Sequence, residues 1–410
     1  NLTYSSNTSK TSNVLLLILS IFSIVLSMFA ALGMLVISMA AGQMSASAVV
    51  SFRYLAWITL VIGLSALPSG IGSIQSLSGN TKILPGKSLS FLSASICLVL
   101  LIPLALLTKL PLFANIPAWF MALENTLLIS IPAWWFIEVA RFRLSRTTEY
   151  KPWGLINISG FISMPVIIFI EGLLLVIFAG GLILWASQLP GFDVLVNQLK
   201  NLMYVKPGSL QLLIDHYQPF LQNQGIIAMG ILFIALVVPL VEELVKPLAL
   251  WFFIKRQWSP AEGFVAGVIC GGTFAVLESL VALASVDSAS WLSLAAARSG
   301  TALLHITTAG ISGWALTSSW LDGKYSRVGV TYSIAVLLHG AWNFLAVAAG
   351  FSSIASDYTP AFFNSLSPVA PWLMAALAAC LIGILIAFNI HLRKQQPSPI
   401  PPQLPPSLPG

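Results

Sequence analysis

Val237-Val238-Pro239-Leu240-Val241-Glu242-Glu243-Leu244-Val245-Lys246-Pro247 lies in the middle of an apolar run from about Ile226 to Ile254. A run of that length spans a bilayer as a helix. Each charge at its centre costs about 2.5–3.5 kcal/mol on the insertion scale. Three together are retained only if they meet partners inside the protein. Glu242 and Lys246 are four apart, so they share a helix face and are expected to pair, with Glu243 turned roughly 100° away. Pro247 leaves the Glu243 carbonyl without its helical donor, and Pro239 does the same to Ala235. Broken hydrogen bonding in a membrane helix is tolerated where it lines a cavity or lies inside protein. The stretch therefore reads as a membrane helix built around a polar site.

The same character extends outward. Of 410 residues 57% are hydrophobic and 8% charged, with a mean hydropathy of +0.91; soluble domains carry about 25% charged residues. Apolar windows of spanning length fall at 14–40, 54–74, 88–108, 117–140, 160–188, 226–254, 262–285, 292–320, 328–350 and 367–391. The expected fold is an all-α polytopic transmembrane helix bundle of about ten spans. Its lysines and arginines, 19 against 13 acids, do not indicate nucleic acid. Thirteen of them, among them Lys10, Lys82, Arg141, Lys151, Lys255, Lys324 and Lys394, flank one side of the spans. Only Arg53, Lys109, Lys200 and Lys206 flank the other, which puts both termini in the cytoplasm by the positive-inside rule. Lys246 and Arg298 lie within spans.

This organisation divides the chain into a short cytoplasmic tail (1–13), a five-helix region (14–188), an extracytoplasmic loop (189–225), a four-helix core (226–350), a loop with the last span (351–391) and a proline-rich cytoplasmic tail (392–410). The loop is expected to hold a short interfacial helix, and its His216 reads as an exposed structural histidine. Cys97, Cys270 and Cys380 sit in apolar segments, without disulfide or zinc-finger spacing. Glu138 is expected to pair with Arg141 at a helix end. Glu124, beside Asn125, and Glu171 lie deeper, each as a packing group or a functional one.

The polar residues concentrate in the four-helix core. Gly263, Gly267 and Gly271 form a small-residue ridge, and the face they mark also carries Glu278, which points it into the bundle. Arg298, Thr301, His305, Thr308 and Ser312 follow offsets of 0, 3, 7, 10 and 14, one continuous helical face. His339 and Asn343 share a face of the next helix. Left unpaired, such a group would cost on the order of 15 kcal/mol in lipid. Its members must meet each other, a metal or water.

Glu242-Glu243-x-x-Lys246, Phe274-x-x-x-Glu278, His305 in the following helix and His339-x-x-x-Asn343 resemble the PrsW family of intramembrane proteases. That family is related to the type II CAAX prenyl endopeptidases and, more distantly, to the gamma-secretase scaffold subunit. The CAAX branch has histidine where Glu278 stands, so this chain follows the PrsW branch. It has Ser279 where PrsW proteins usually put asparagine.

The resemblance implies peptide hydrolysis in the prokaryotic plasma membrane, on single-span membrane proteins and with the bilayer itself as a partner. Glu242 and Glu243 are candidate bases, and His305 and His339 polarise or donate. Asn343 orients an oxyanion or a histidine, while Lys246 and Arg298 hold carboxylates charged. A zinc site needs three ligands and an open water position. Glu278, His305 and His339 provide that set, with Glu243 as base and Glu242 paired to Lys246 outside it. A metal-free arrangement has Glu243 and His305 activating water, with His339 and Asn343 as oxyanion donors. Three carboxylates facing one lysine and one arginine favour the divalent cation.

Two other classes fit parts of the pattern. Carboxylates and histidines at mid-span suit a proton- or ion-coupled transporter, against which stands the lack of an internal repeat. A non-catalytic scaffold would not need the full set of acids and histidines.

Overall fold

A computed structural model describes residues 2–40, 46–79, 91–107, 117–144, 152–190, 192–194, 196, 223–253, 258–285, 291–354 and 361–395. His216 and the proline-rich tail from Pro397 lie outside the described residues. The described residues hold helices and turns and no strand. The molecule is an all-α polytopic helix bundle. In chain order the helices are α1 (Leu2–Ala40), α2 (Ala46–Leu64), α3 (Leu67–Leu77), α4 (Phe91–Leu107), α5 (Ala118–Ala140), α6 (Pro152–Ala186), α7 (Gln224–Trp251), α8 (Pro260–Ala282), α9 (Trp291–Asp322), α10 (Ser326–Ile354), α11 (Ala361–Leu366) and α12 (Ala370–Gln395).

Each of the ten expected windows carries helix, and among the described residues eight helices are long and apolar enough to cross a membrane. The two that fall short are the brief α4 and the polar-striped α9. The α1 helix runs back to Leu2, through the residues read as a tail. The bundle is apolar outside and polar within. Phe29, Phe169 and Trp372 are exposed, while Glu242, Lys246, His305 and His339 are buried. Lipid, not water, satisfies such a surface.

The site is positioned by α7 to α10. An N-cap on Asn223, whose side chain accepts from the Gly225 and Ile226 amides, starts α7. Ser259 starts α8 with a capping box: its Oγ accepts the Glu262 amide at 3.3 Å, and Glu262 Oε2 accepts the Ser259 amide at 2.8 Å. Between α9 and α10 Gly323 takes φ +73°, a left-handed C-terminal stop that glycine adopts without strain. Asp322 Oδ1 accepts the Lys324 amide there, at 3.1 Å.

The closest packing is between α8 and α9, along the glycine ridge. A Cβ on Gly263 would strike Thr317 and the Gly313 carbonyl; on Gly267, the Ala309 carbonyl; on Gly271, the His305 carbonyl. Backbones touch there, and this contact brings His305 against the face that carries Glu278. Asn389 of α12 ties the bundle to α5, donating to the Ala140 and Phe142 carbonyls at 2.8 and 2.9 Å.

Glu138 pairs with Arg141, as expected at the α5 end. Glu124 is buried beside Asn125, which donates to Tyr54 Oη at 3.1 Å; that hydroxyl in turn donates to the Leu280 carbonyl.

Candidate active site

The α7 helix is irregular where its carboxylates lie. It widens to a π-turn over Phe233–Val237, with the Val238 amide bonded to the Phe233 carbonyl, and breaks again at Lys246-Pro247. In the wide turn the Ile234 carbonyl looks five residues on for its donor and meets Pro239, which has no N–H. Asn343 Nδ2 supplies that donor, at 3.0 Å. The Ala235 carbonyl, whose α-helical donor would also be Pro239, packs onto Gly340 where a Cβ would collide. The histidine-bearing stretch of α10 thus docks onto the break that the two-proline pattern implied.

The carboxylates divide differently from the simple face argument. Lys246 Nζ, with its side chain 0% exposed, lies 2.6 Å from Glu243 Oε1 and 3.0 Å from Glu242 Oε2. The first contact is a hydrogen bond. The second is an ion contact of the same ammonium with the other acid. Residues three and four apart both lie on one helix side, and the long lysine stem reaches both acids. The same ammonium lies 2.7 Å from His305 Nδ1 and 4.6 Å from the centre of the Phe274 ring.

Each histidine hands one nitrogen to a carboxylate. His305 Nε2 is 3.0 Å from Glu278 Oε2, and His339 Nδ1 is 2.8 Å from Glu243 Oε1. The imidazole rings meet edge to face with centroids 4.9 Å apart. Phe274, one helical turn before Glu278, packs edge-on against His305 with centroids 5.0 Å apart. It belongs to the quoted motif, and only its i, i+4 relation to Glu278 hinted at contact with the site.

Glu278 was placed among three metal ligands by the sequence. In the structure its Oε2 bonds His305 and lies 2.7 Å from Arg298 Nη2, and 32% of its side chain remains exposed, against 7% for Glu242 and 1% for Glu243. Arg298 Nε also donates to Ser279 Oγ at 2.9 Å, so the serine that replaces the usual asparagine is part of the support. Among the described residues the group able to hold a metal is Glu242, His305 and His339, with one ligand atom from each within 4.8 Å of the others. The site thus gathers Glu242, Glu243, Lys246, Glu278, Arg298, His305 and His339 from four helices. Asn343 stands apart, on the α7 backbone.

Residues 208–381 match the PrsW family of intramembrane metalloproteases. The resemblance carried by the motifs is borne out over that region, which holds every member of the cluster. No curated protein and no solved structure matches the chain.

Not all of the polar stripe on α9 serves the cluster. Thr301 Oγ1 accepts Trp342 Nε1 at 3.1 Å, and Thr308 returns its hydroxyl to the His305 carbonyl. The first is a helix-packing contact with α10, the second a bond within α9. Glu171, on α6, comes within electrostatic range of Glu278 and Lys246, and its Oε1 is buried without a hydrogen-bond partner among the described residues.

Proposed function

We propose that this protein is an intramembrane endopeptidase that hydrolyses a peptide bond of membrane-anchored substrates, single-span proteins in particular, with zinc as its metal. The observation that carries the reading is the meeting of Glu242, His305 and His339, all buried, inside a bundle whose surroundings are apolar. Its setting is the prokaryotic plasma membrane with both termini cytoplasmic. Residues 226–350 form the catalytic core, and 14–188 form a separate five-helix region.

Two histidines and a carboxylate are an established zinc donor set. Glu242 Oε2, buried and already 3.0 Å from the Lys246 ammonium, suits a cation. The residues fit the metal, with Glu242 in place of Glu278 beside the two histidines. A zinc ion bound there supplies Lewis acidity and a water of lowered pKa.

The side chains do the rest. Glu243 fixes the His339 tautomer by accepting from Nδ1, which turns Nε2 toward Glu242, 3.9 Å away. Glu278 does the same for His305 through Nε2, and Arg298 keeps Glu278 in place. Glu243 Oε2 is buried without a hydrogen-bond partner among the described residues. It is the oxygen available to take a proton from the attacking water and return it to the leaving amine. Of the three core carboxylates Glu278 keeps the most accessible surface, and its side is the proposed entry for water. Glu242, Glu243, His305 and His339 are buried, and the low dielectric strengthens each charge interaction.

Reconstitution of the full chain with candidate single-span proteins tests this. Glu243→Gln and His339→Ala should each lower cleavage by about a thousandfold, in the range of lost acid–base groups, while remaining monodisperse. Chelation should silence the enzyme and zinc restore it. Variants that stay active would remove the site assignment, and a metal-free preparation at full rate would remove zinc.

A further inference from the structure

We propose that the Lys246 ammonium is a built-in stand-in for the metal: it holds the cluster together when no divalent cation is bound, and it must leave His305 for one to enter. The inference rests on the metal reading above and concerns how Lys246 and a divalent cation share the cluster.

Lone pairs decide the matter. A neutral imidazole has one N–H and one lone pair. Lys246 Nζ, 2.7 Å from His305 Nδ1, has donors only, so Nδ1 must carry the lone pair and Nε2 the proton. That proton is directed at Glu278 Oε2, 3.0 Å away. Both nitrogens of His305 are therefore committed. A metal ligated by Nδ1 and the Lys246 hydrogen bond compete for the same electron pair. A metal at Nε2 would need the imidazole stripped of its only proton and Glu278 pulled from its pair with Arg298, itself held to Ser279. Moving the lysine leaves the imidazole its proton and the Glu278–Arg298 pair intact.

Lys246 is suited to move. Its Nζ sits at 2.6 Å from Glu243 Oε1, and the flexible stem can pivot about that bond, giving up His305 Nδ1 and Glu242 Oε2 while staying paired. Its charge also answers a need of the acids themselves. Glu242 and Glu243 are both buried, and two adjacent carboxylates in a dry bundle require a cation close by. The lysine touches two of the three groups that can hold a metal, Glu242 and His305, and the ring of Phe274 backs it at 4.6 Å. It lies against two of the groups a cation would bind and supplies the same sign of charge.

The opposite role, a lysine that supports the ligands in the loaded site, predicts the opposite change on removal, and zinc binding separates the two. In the detergent-purified full chain, zinc affinity measured against a competing chelator should rise about tenfold or more in Lys246→Met and stay at or below wild type in Lys246→Arg, which keeps the charge and the donors. Wild type stripped of metal should still melt cooperatively, since the ammonium replaces the ion, whatever the fate of the Met variant. Equal or weaker zinc binding by a folded Lys246→Met overturns the inference and leaves the metal reading intact. Loss of cooperative melting on stripping wild type overturns it as well. Failure of wild type and all variants to bind zinc overturns both.

Discussion

Asn343 shows how a residue with a catalytic reading can be held by the backbone. Its amide replaces the hydrogen bond that Pro239 denies to the Ile234 carbonyl, and an orphaned carbonyl at membrane depth has no water to turn to. Asn343→Leu should therefore destabilise the protein by about 1 kcal/mol, read as a lowered melting temperature, with zinc affinity within a factor of about two of wild type. A large loss of zinc binding with unchanged melting would place Asn343 in the cluster instead. The i, i+4 spacing from His339 was legible in the sequence and put both on one face. It could not say which of the two points at an acid and which at a carbonyl one turn away, because that depends on where the π-turn in α7 falls.

At the scale of elements the pairing of α8 with α9 decides whether Glu278 reaches His305. The contact depends on glycine, since a Cβ on Gly271 would strike the His305 carbonyl itself. Gly271→Ala should cost about 1–3 kcal/mol as an overpacking change, and because it displaces the backbone of a histidine proposed as a metal ligand it should also weaken zinc binding. Gly383 on α12 offers a control, because a Cβ there would meet nothing within 4 Å. Gly383→Ala should be neutral or stabilising by up to about 1 kcal/mol, from helix propensity. If Gly271→Ala melts like Gly383→Ala, backbone contact is not what positions His305.

For the whole molecule, an apolar exterior around a charged interior is what lipid as solvent demands, and the distribution of basic residues then sets orientation. Single cysteines at Ser209 and Gln395, in a chain with Cys97, Cys270 and Cys380 replaced, should label from opposite faces of the membrane. Labelling of both from one face would remove the ten-span arrangement and the cytoplasmic placement of both ends.

The sequence by itself determined that the chain is a helical membrane bundle and which charged groups had to meet, because hydropathy over about 20 residues and the cost of a lone charge in lipid are local quantities. It also located the helix break at Pro239 and the close-packed glycine face. Only the tertiary structure decided the partners: Lys246 between Glu242, Glu243 and His305; Glu278 behind His305 with Arg298; Glu242 beside both histidines. Those choices turn on ångström differences in reach between side chains from separate helices. Such distances follow from helix crossing and backbone approach, which no spacing along one helix encodes.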